Sequence, residues 1–180
     1  MPRKAQRSNR DDEGVLQAGD AELGWRLYAR PSPSSDNDPV VLYCHANAEN
    51  VADVEHLAPV LHSAGAAAVF AFDYRGYGWS TGTPSFGTLL ADVEHVVAAL
   101  PGILARFSLS GRPLVAYGRS LGAACAVHVA STMPVRGSCC FSWSAASVFS
   151  SGHGSKQRLL HGAFALCTFG RDARRTAMLI

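Results

Sequence analysis

Leu114-Val115-Ala116-Tyr117-Gly118-Arg119-Ser120-Leu121-Gly122-Ala123-Ala124-Cys125 is the stretch that decides the fold of this chain. A short apolar run leads into a G-x-S-x-G pentapeptide, and a run of small residues continues to Ala130. Strand, sharp turn and helix is the setting in which such a pentapeptide forms a nucleophile elbow. Gly118 and Gly122 carry no side chains, so the strand and the helix can approach closely around a strained turn. The turn lifts Ser120 Oγ above the carboxyl edge of a sheet. It also aims the Leu121 N–H and the helix N-terminus at developing negative charge. The bare pentapeptide arises by chance in Gly/Ser-rich chains, so its weight comes from its flanks.

Outward from the elbow, apolar periodicity divides the chain. Glu22 to Arg30 alternates Leu23, Trp25, Leu27 and Ala29 with polar residues, as a half-buried strand does. Pro31 to Pro39 reads as a linker. Val40 to Cys44 and Ala67 to Phe72 are continuous apolar runs, the pattern of strands buried on both faces. Between them Val51, Val54, Leu57, Ala58 and Leu61 recur at helical spacing, with Pro59 expected to kink or shorten the helix and Gly65 to stop it. Asp73 to Pro84 is a Gly-rich loop. Phe86, Leu89, Leu90, Val93, Val97 and Leu100 predict an amphipathic helix. Val135 to Phe141 predicts one more strand. This alternation implies an α/β fold: a mostly parallel sheet with flanking helices. Ligands meet such sheets at the carboxyl ends of the strands, where the loops after Cys44, Phe72 and Tyr117 all emerge.

At 180 residues the chain is long enough for one domain with a core and short for two. A formal net charge of +2 offers no basic field for nucleic acid. Arg3, Lys4, Arg7 and Arg10 stand beside Asp11, Asp12 and Glu13, and residues 1–20 read as a flexible, solvated end. No apolar stretch is expected to approach the roughly 18 residues of a spanning helix, and residues 1–20 lack the apolar core of a signal peptide. A cytoplasmic location is therefore expected. The five cysteines show no metal-ligand spacing and read as buried thiols.

Two further segments join the elbow to make a family visible. His45-Ala46-Asn47-Ala48-Glu49-Asn50 follows the first buried strand, and Asp73-Tyr74-Arg75-Gly76-Tyr77-Gly78-Trp79-Ser80 follows the second. With Gly118 to Gly122 these resemble the α/β-hydrolase superfamily, in particular its serine-hydrolase subgroup with HGNAEN-like, DYRGYG-like and GxSxG segments. The resemblance runs from about Glu22 to Gly137. It implies Ser120 as nucleophile and the N–H groups of Leu121 and Asn47, with Ala48 as the alternative, as the oxyanion hole. This sequence carries Ala46 where the pattern has glycine. His45, Gly118, Gly122, Asp73 and Arg75 are implied as supporting residues, with His45 ordering its loop rather than acting as base. The reaction implied is hydrolysis of an ester, thioester or amide, on a small-molecule or acyl-protein or peptide substrate. No metal or organic cofactor is implied.

The pattern breaks after Gly137. In this fold the acid and then the histidine follow the serine in chain order. Here the sole acid after Ser120 is Asp172, and it follows both loop histidines, His153 and His161. His128 lies eight residues beyond Ser120, about 12 Å along a helix, too far to reach Oγ. Residues 138–155 are Ser-rich, and the apolar-periodic stretch from Lys156 to Cys167 (Leu159, Leu160, Ala163, Phe164, Cys167) is expected to be a helix covering the last parallel strand. The expected organisation is a flexible terminus over 1–20, an α/β-hydrolase-like core over 21–137 and an atypical tail over 138–180. The succession is expected to be truncated after about the sixth strand, as in an altered product with an unrelated tail. The alternatives are a compact enzyme with His153 or His161 as base, and a non-catalytic relative that acts by binding.

Overall fold

The two continuous apolar runs lie side by side at the centre of one sheet, as β3 (Val40–Cys44) and β4 (Ala68–Phe72), and each is buried along its whole length. The computed structural model describes residues 2–8 and 10–132, with the backbone alone of Gly137–Ser142 and Phe164–Phe169. The other strands are β1 (Glu13–Ala18), β2 (Ala21–Ala29), β5 (Leu114–Arg119), β6 (Gly137–Ser142) and β7 (Phe164–Phe169). Their order in space is β1-β2-β4-β3-β5-β6-β7. β4, β3, β5 and β6 run parallel, while β1, β2 and β7 add antiparallel margins. Among the described residues the parallel succession ends at β6, which β7 flanks antiparallel.

Strand periodicity sorts the core into two layers. Val40, Leu42 and Cys44 pack on one face, against α2 (Phe86–Ala105) and α3 (Gly122–Thr132). Val41 and Tyr43 pack on the other, against a 3₁₀ turn at Val51–His56 and α1 (Ala58–Ser63). Register then sets the position of the site. Cys44 stands opposite Phe72 on one side and Gly118 on the other, so β3, β4 and β5 end level. The loops that follow them share one edge.

Four expectations are corrected. The first concerns the chain start: residues 13–18 form β1 instead of belonging to a solvated end. Glu13 is buried beneath Arg26, with Nη2 to Oε2 at 2.5 Å. Burial raises the Glu13 carboxyl, but the hydrogen bonds from Arg26, Ser8 and Arg10 outweigh it and hold its pKa below the ordinary value. The second concerns the single helix expected around Pro59, which is two. Asn50 and Asp53 cap the 3₁₀ turn reciprocally, and Pro59 sits in the first turn of α1, where no N–H is required of it. The third concerns α2, whose buried stripe is Leu89, Val93, Val96, Leu100, Ile103 and Leu104, while Phe86 and Leu90 point outward. With 20 residues α2 is also long and apolar enough to cross a membrane by length and composition. Here that stripe lies on the sheet, and its Asp92 is ion-paired with Arg75. The fourth lies in the expected helix from Lys156 to Cys167: Phe164–Cys167 is β-strand, paired antiparallel along β6 as part of β7. The rest of that stretch lies outside the described residues.

Removing one partner of a buried ion pair leaves the other charge uncompensated. Glu13→Ala is therefore expected to lower stability by about 3–5 kcal/mol in urea unfolding, with replacement of both Glu13 and Arg26 by apolar residues less harmful than Glu13→Ala alone.

Candidate active site

Ser120 sits at the end of β5 with φ at +53°, in the left-handed region that a side chain disfavours. Holding a non-glycine residue there costs about 1–3 kcal/mol and persists only where the surroundings fix it. Two contacts fix it here. A Cβ on Gly118 would overlap the Gly122 carbonyl and stand 2.6 Å from Ala123 Cα. A Cβ on Gly122 would overlap the carbonyl of Cys44 and stand 2.9 Å from Cys44 Cβ. The first turn of α3 is thereby pressed against the ends of both β5 and β3. Ser120 is exposed, and its carbonyl accepts from Ala123 N–H at 3.0 Å, so the turn runs directly into α3.

The loop after β3 stands beside this turn. Glu49 organises it. One carboxylate oxygen accepts from Ala46 N–H at 2.8 Å and from Tyr43 O–H at 3.1 Å. The other is paired with the Arg119 guanidinium. Glu49 N–H closes the loop on the Ala46 carbonyl at 3.0 Å. Arg119, the residue before Ser120, thus ties the elbow to the loop carrying Asn47. Nothing in the local sequence pattern marks Arg119 and Glu49 as partners. Their opposite charges in two motifs on neighbouring strands were the available signal. Ala46 keeps φ out of the left-handed region, so alanine is accommodated where the pattern has glycine. Asn47 Oδ1 accepts from Tyr77 O–H at 2.5 Å, and among the described residues neither Asn47 N–H nor Leu121 N–H is engaged by backbone. Asn47 and Leu121 line the same cleft of about 130 Å³, with Tyr74, Tyr77, Phe86 and Leu89 among its other lining residues.

His45 and Asp73 lie beneath this loop, fully buried. His45 Nδ1 is 2.8 Å from the Ala46 carbonyl, which accepts only, so Nδ1 carries the proton and donates. Nε2 is then an acceptor, 3.5 Å from Asp73 Oδ1. Burial pushes His45 down to about 4 and Asp73 up to about 7. Between about pH 4 and 7 the pair is an uncharged imidazole facing a protonated carboxyl. Asp73 Oδ1 also accepts from Val51 N–H at 2.9 Å, and Tyr74 O–H donates to the His45 carbonyl at 2.8 Å. His45 is therefore locked in the scaffold and is not available to Ser120. Arg75 forks onto Asp92 at 2.8 and 2.9 Å and reaches Asp20 at 2.6 Å, fixing the loop after β4 to α2 and to the β1–β2 turn.

Ser120, Leu121, Asn47 and the supporting residues are thus brought to one edge. The remaining described histidines are not. His128 Nε2 is 2.7 Å from Glu94, and His62 Nε2 is 3.1 Å from the Tyr28 carbonyl. His56 and His95 are exposed on the 3₁₀ turn and on α2. Among the described residues none is hydrogen-bonded to Ser120 Oγ. His153 and His161, the candidate bases, lie outside the described residues, as does Asp172.

The model of the family described as serine aminopeptidase, S33, matches residues 35–160, more than half of the chain. The chain belongs to this family. As a serine aminopeptidase-like α/β-hydrolase it has relatives of known sequence. The protein bem46 of Schizosaccharomyces pombe is 40% identical over 96 residues, which cover 53% of this chain and 31% of that protein. Human alpha/beta hydrolase domain-containing protein 17C is 33% identical over 114 residues, 63% of this chain and 33% of that protein. The chain thus spans about a third of the length of these relatives. The fold agrees with solved structures. An alpha-beta serine hydrolase homologue from Coxiella burnetii superposes with a TM-score of 0.54 at 20% identity, covering 73% of this chain and 62% of that one. A soluble variant of monoglyceride lipase from Saccharomyces cerevisiae gives 0.56 at 20% identity, covering 73% and 44%.

Two predictions follow from the packing and from the proton count. Gly122→Ala drives a methyl group into the Cys44 carbonyl and is expected to lower stability by about 3 kcal/mol or more, read as a shift in the urea midpoint. Between pH 4 and 6.5 the native His45–Asp73 pair holds one titratable proton, on Asp73. The unfolded pair also holds one, on His45, given ordinary values of 3.8 and 6.5. The pair therefore adds no slope to stability in this range. His45→Asn removes the balance: the native state then binds the extra proton, and rising pH favours unfolding. Stability relative to wild type is expected to fall by up to about 1.4 kcal/mol per pH unit from pH 4.5 to 6.5. A difference that is flat or rising with pH would contradict the neutral pair.

Proposed function

We propose that this protein is a serine hydrolase that cleaves an ester, thioester or amide through an acyl-Ser120 intermediate. The observation that carries the reading is Ser120, held at positive φ where β5 ends level with β3, beside a loop whose Asn47 N–H is, among the described residues, unengaged by backbone. Ser120 Oγ adds to the acyl carbonyl as its proton passes to a base. The carbonyl oxygen becomes an anion that, in this reading, Leu121 N–H and Asn47 N–H receive at the start of α3. Donors of this kind contribute roughly 3–4 kcal/mol each to such a step. Collapse expels an alcohol, thiol or amine, which takes the proton from the base. Water then adds to the acyl-serine by the same route and releases the acid.

The base in this reading is His153 or His161, since His45 is sequestered with Asp73 and His128 is taken by Glu94. The substrate is a small acyl compound or an acylated protein or peptide. A second reading, a relative that keeps the elbow as scaffold and acts by binding, is favoured by one observation: no described histidine engages Ser120.

A fluorophosphonate probe separates the two. Attack by Ser120 Oγ forms an O–P bond and releases fluoride. One equivalent of label is expected on wild type and none on Ser120→Ala, read by intact mass. A wild type left unlabelled would refute the enzyme reading and leave the binding one.

A further inference from the structure

The first residues of the chain cross both loops that frame the elbow. Gly78 N–H donates to the Arg3 carbonyl at 2.8 Å, and Ala5 N–H donates to the Gly78 carbonyl at 3.2 Å, a parallel bridge centred on Lys4. Lys4 Nζ donates to the Ser80 carbonyl at 3.4 Å. The Arg3 side chain turns to the other loop. Its Nη1 donates to Asp53 Oδ2 at 2.7 Å and to the Ala48 carbonyl at 3.3 Å. Farther along, Ser8 N–H and O–H both donate to the Glu13 carboxylate at 2.5 and 3.1 Å. That carboxylate is the one buried beneath Arg26. The arm is thus anchored at one end in the sheet and at the other on two loops.

We propose that residues 3–8 are a strap that holds the loop after β3 against the loop after β4, with Arg3 as the positioning residue for the oxyanion donor Asn47 N–H. Only the catalytic consequence of this inference rests on the serine-hydrolase reading. By holding the Ala48 carbonyl, Arg3 fixes the turn of the Asn47–Ala48 segment. By holding Asp53, it ties that segment to the capped 3₁₀ turn, since Asp53 Oδ2 also accepts from Asn50 N–H at 2.9 Å. The backbone bridge at Gly78 sets the partner loop, where Tyr77 meets Asn47. An ion pair as exposed as Arg3–Asp53 adds little to global stability. Its effect is local, because an N–H donor misplaced by a fraction of an ångström loses much of its hold on the transition state. Both Arg3 contacts leave from one nitrogen, so a lysine of similar reach supplies them.

The test uses the full chain as wild type, Arg3→Ala and Arg3→Lys, with two readouts. Amide hydrogen exchange is followed over residues 45–50, where Ala46, Glu49 and Asn50 N–H are hydrogen-bonded. Saturation kinetics of fluorophosphonate labelling separate the maximal rate from the half-saturating concentration. Arg3→Ala is expected to speed exchange at 45–50 about fivefold, leaving β3 and β5 unchanged. The maximal labelling rate is expected to fall by a similar factor of about five at an unchanged half-saturating concentration, with Arg3→Lys restoring both. Unchanged exchange at 45–50, or an unchanged maximal rate in Arg3→Ala, would overturn the proposal. If wild type takes no label, the serine-hydrolase reading fails, and exchange alone decides the strap.

Discussion

The carbonyl of Cys44 occupies the space that a side chain at position 122 would need. This contact presses the first turn of α3 onto the end of β3, and much of the edge depends on it. With α3 seated there, β5 has no room to turn gradually. The reversal is taken at one residue, Ser120, in a conformation that L-amino acids avoid. Gly118 makes the same allowance on the other side of the turn. The strain at Ser120 is thus a consequence of close packing between one helix and two strands, and it leaves the hydroxyl exposed at the carboxyl edge.

The level ending of β3, β4 and β5 turns this local strain into a site. Each of the three strands hands its loop to the same edge, and each loop is braced by charge or hydrogen bonds to something other than itself. Glu49 and Arg119 link the loop after β3 to the elbow. Arg75 links the loop after β4 to α2 and to the β1–β2 turn. His45 and Asp73 meet beneath the two loops as a pair uncharged between about pH 4 and 7, and Val51 N–H joins the loops by donating to Asp73. Neutrality suits that position: a buried charge there would demand a partner and more space than the aromatic rings of Tyr74 and Tyr77 leave.

The legibility of these features in the sequence follows their physics. β3 and β4 are buried on both faces, so they stand out as unbroken apolar runs, and the elbow stands out because two glycines must flank its serine. β1 was illegible. Its inward positions are held partly by Gly14 and by Glu13, whose burial depends on Arg26, so charge marked it as a solvated end. The same holds for Arg3 and Lys4, which look like a polar terminus until their acceptors, far along the chain, are in place. Phe86 and Leu90 mimic the buried stripe of α2 because their spacing fits it, yet the sheet meets the helix one step round, at Val96. The Glu49–Arg119 brace spans 70 residues, and no local pattern announces such a pair.

The central claim is that this edge makes Ser120 a nucleophile. The most direct measurement is intact and peptide mass analysis of the protein quenched during turnover of an activated aryl ester. The account predicts a single added acyl group on the peptide containing Ser120, which appears on mixing and decays as ester is exhausted. An acyl group carried elsewhere, or ester consumed equally well by Ser120→Ala, would contradict it.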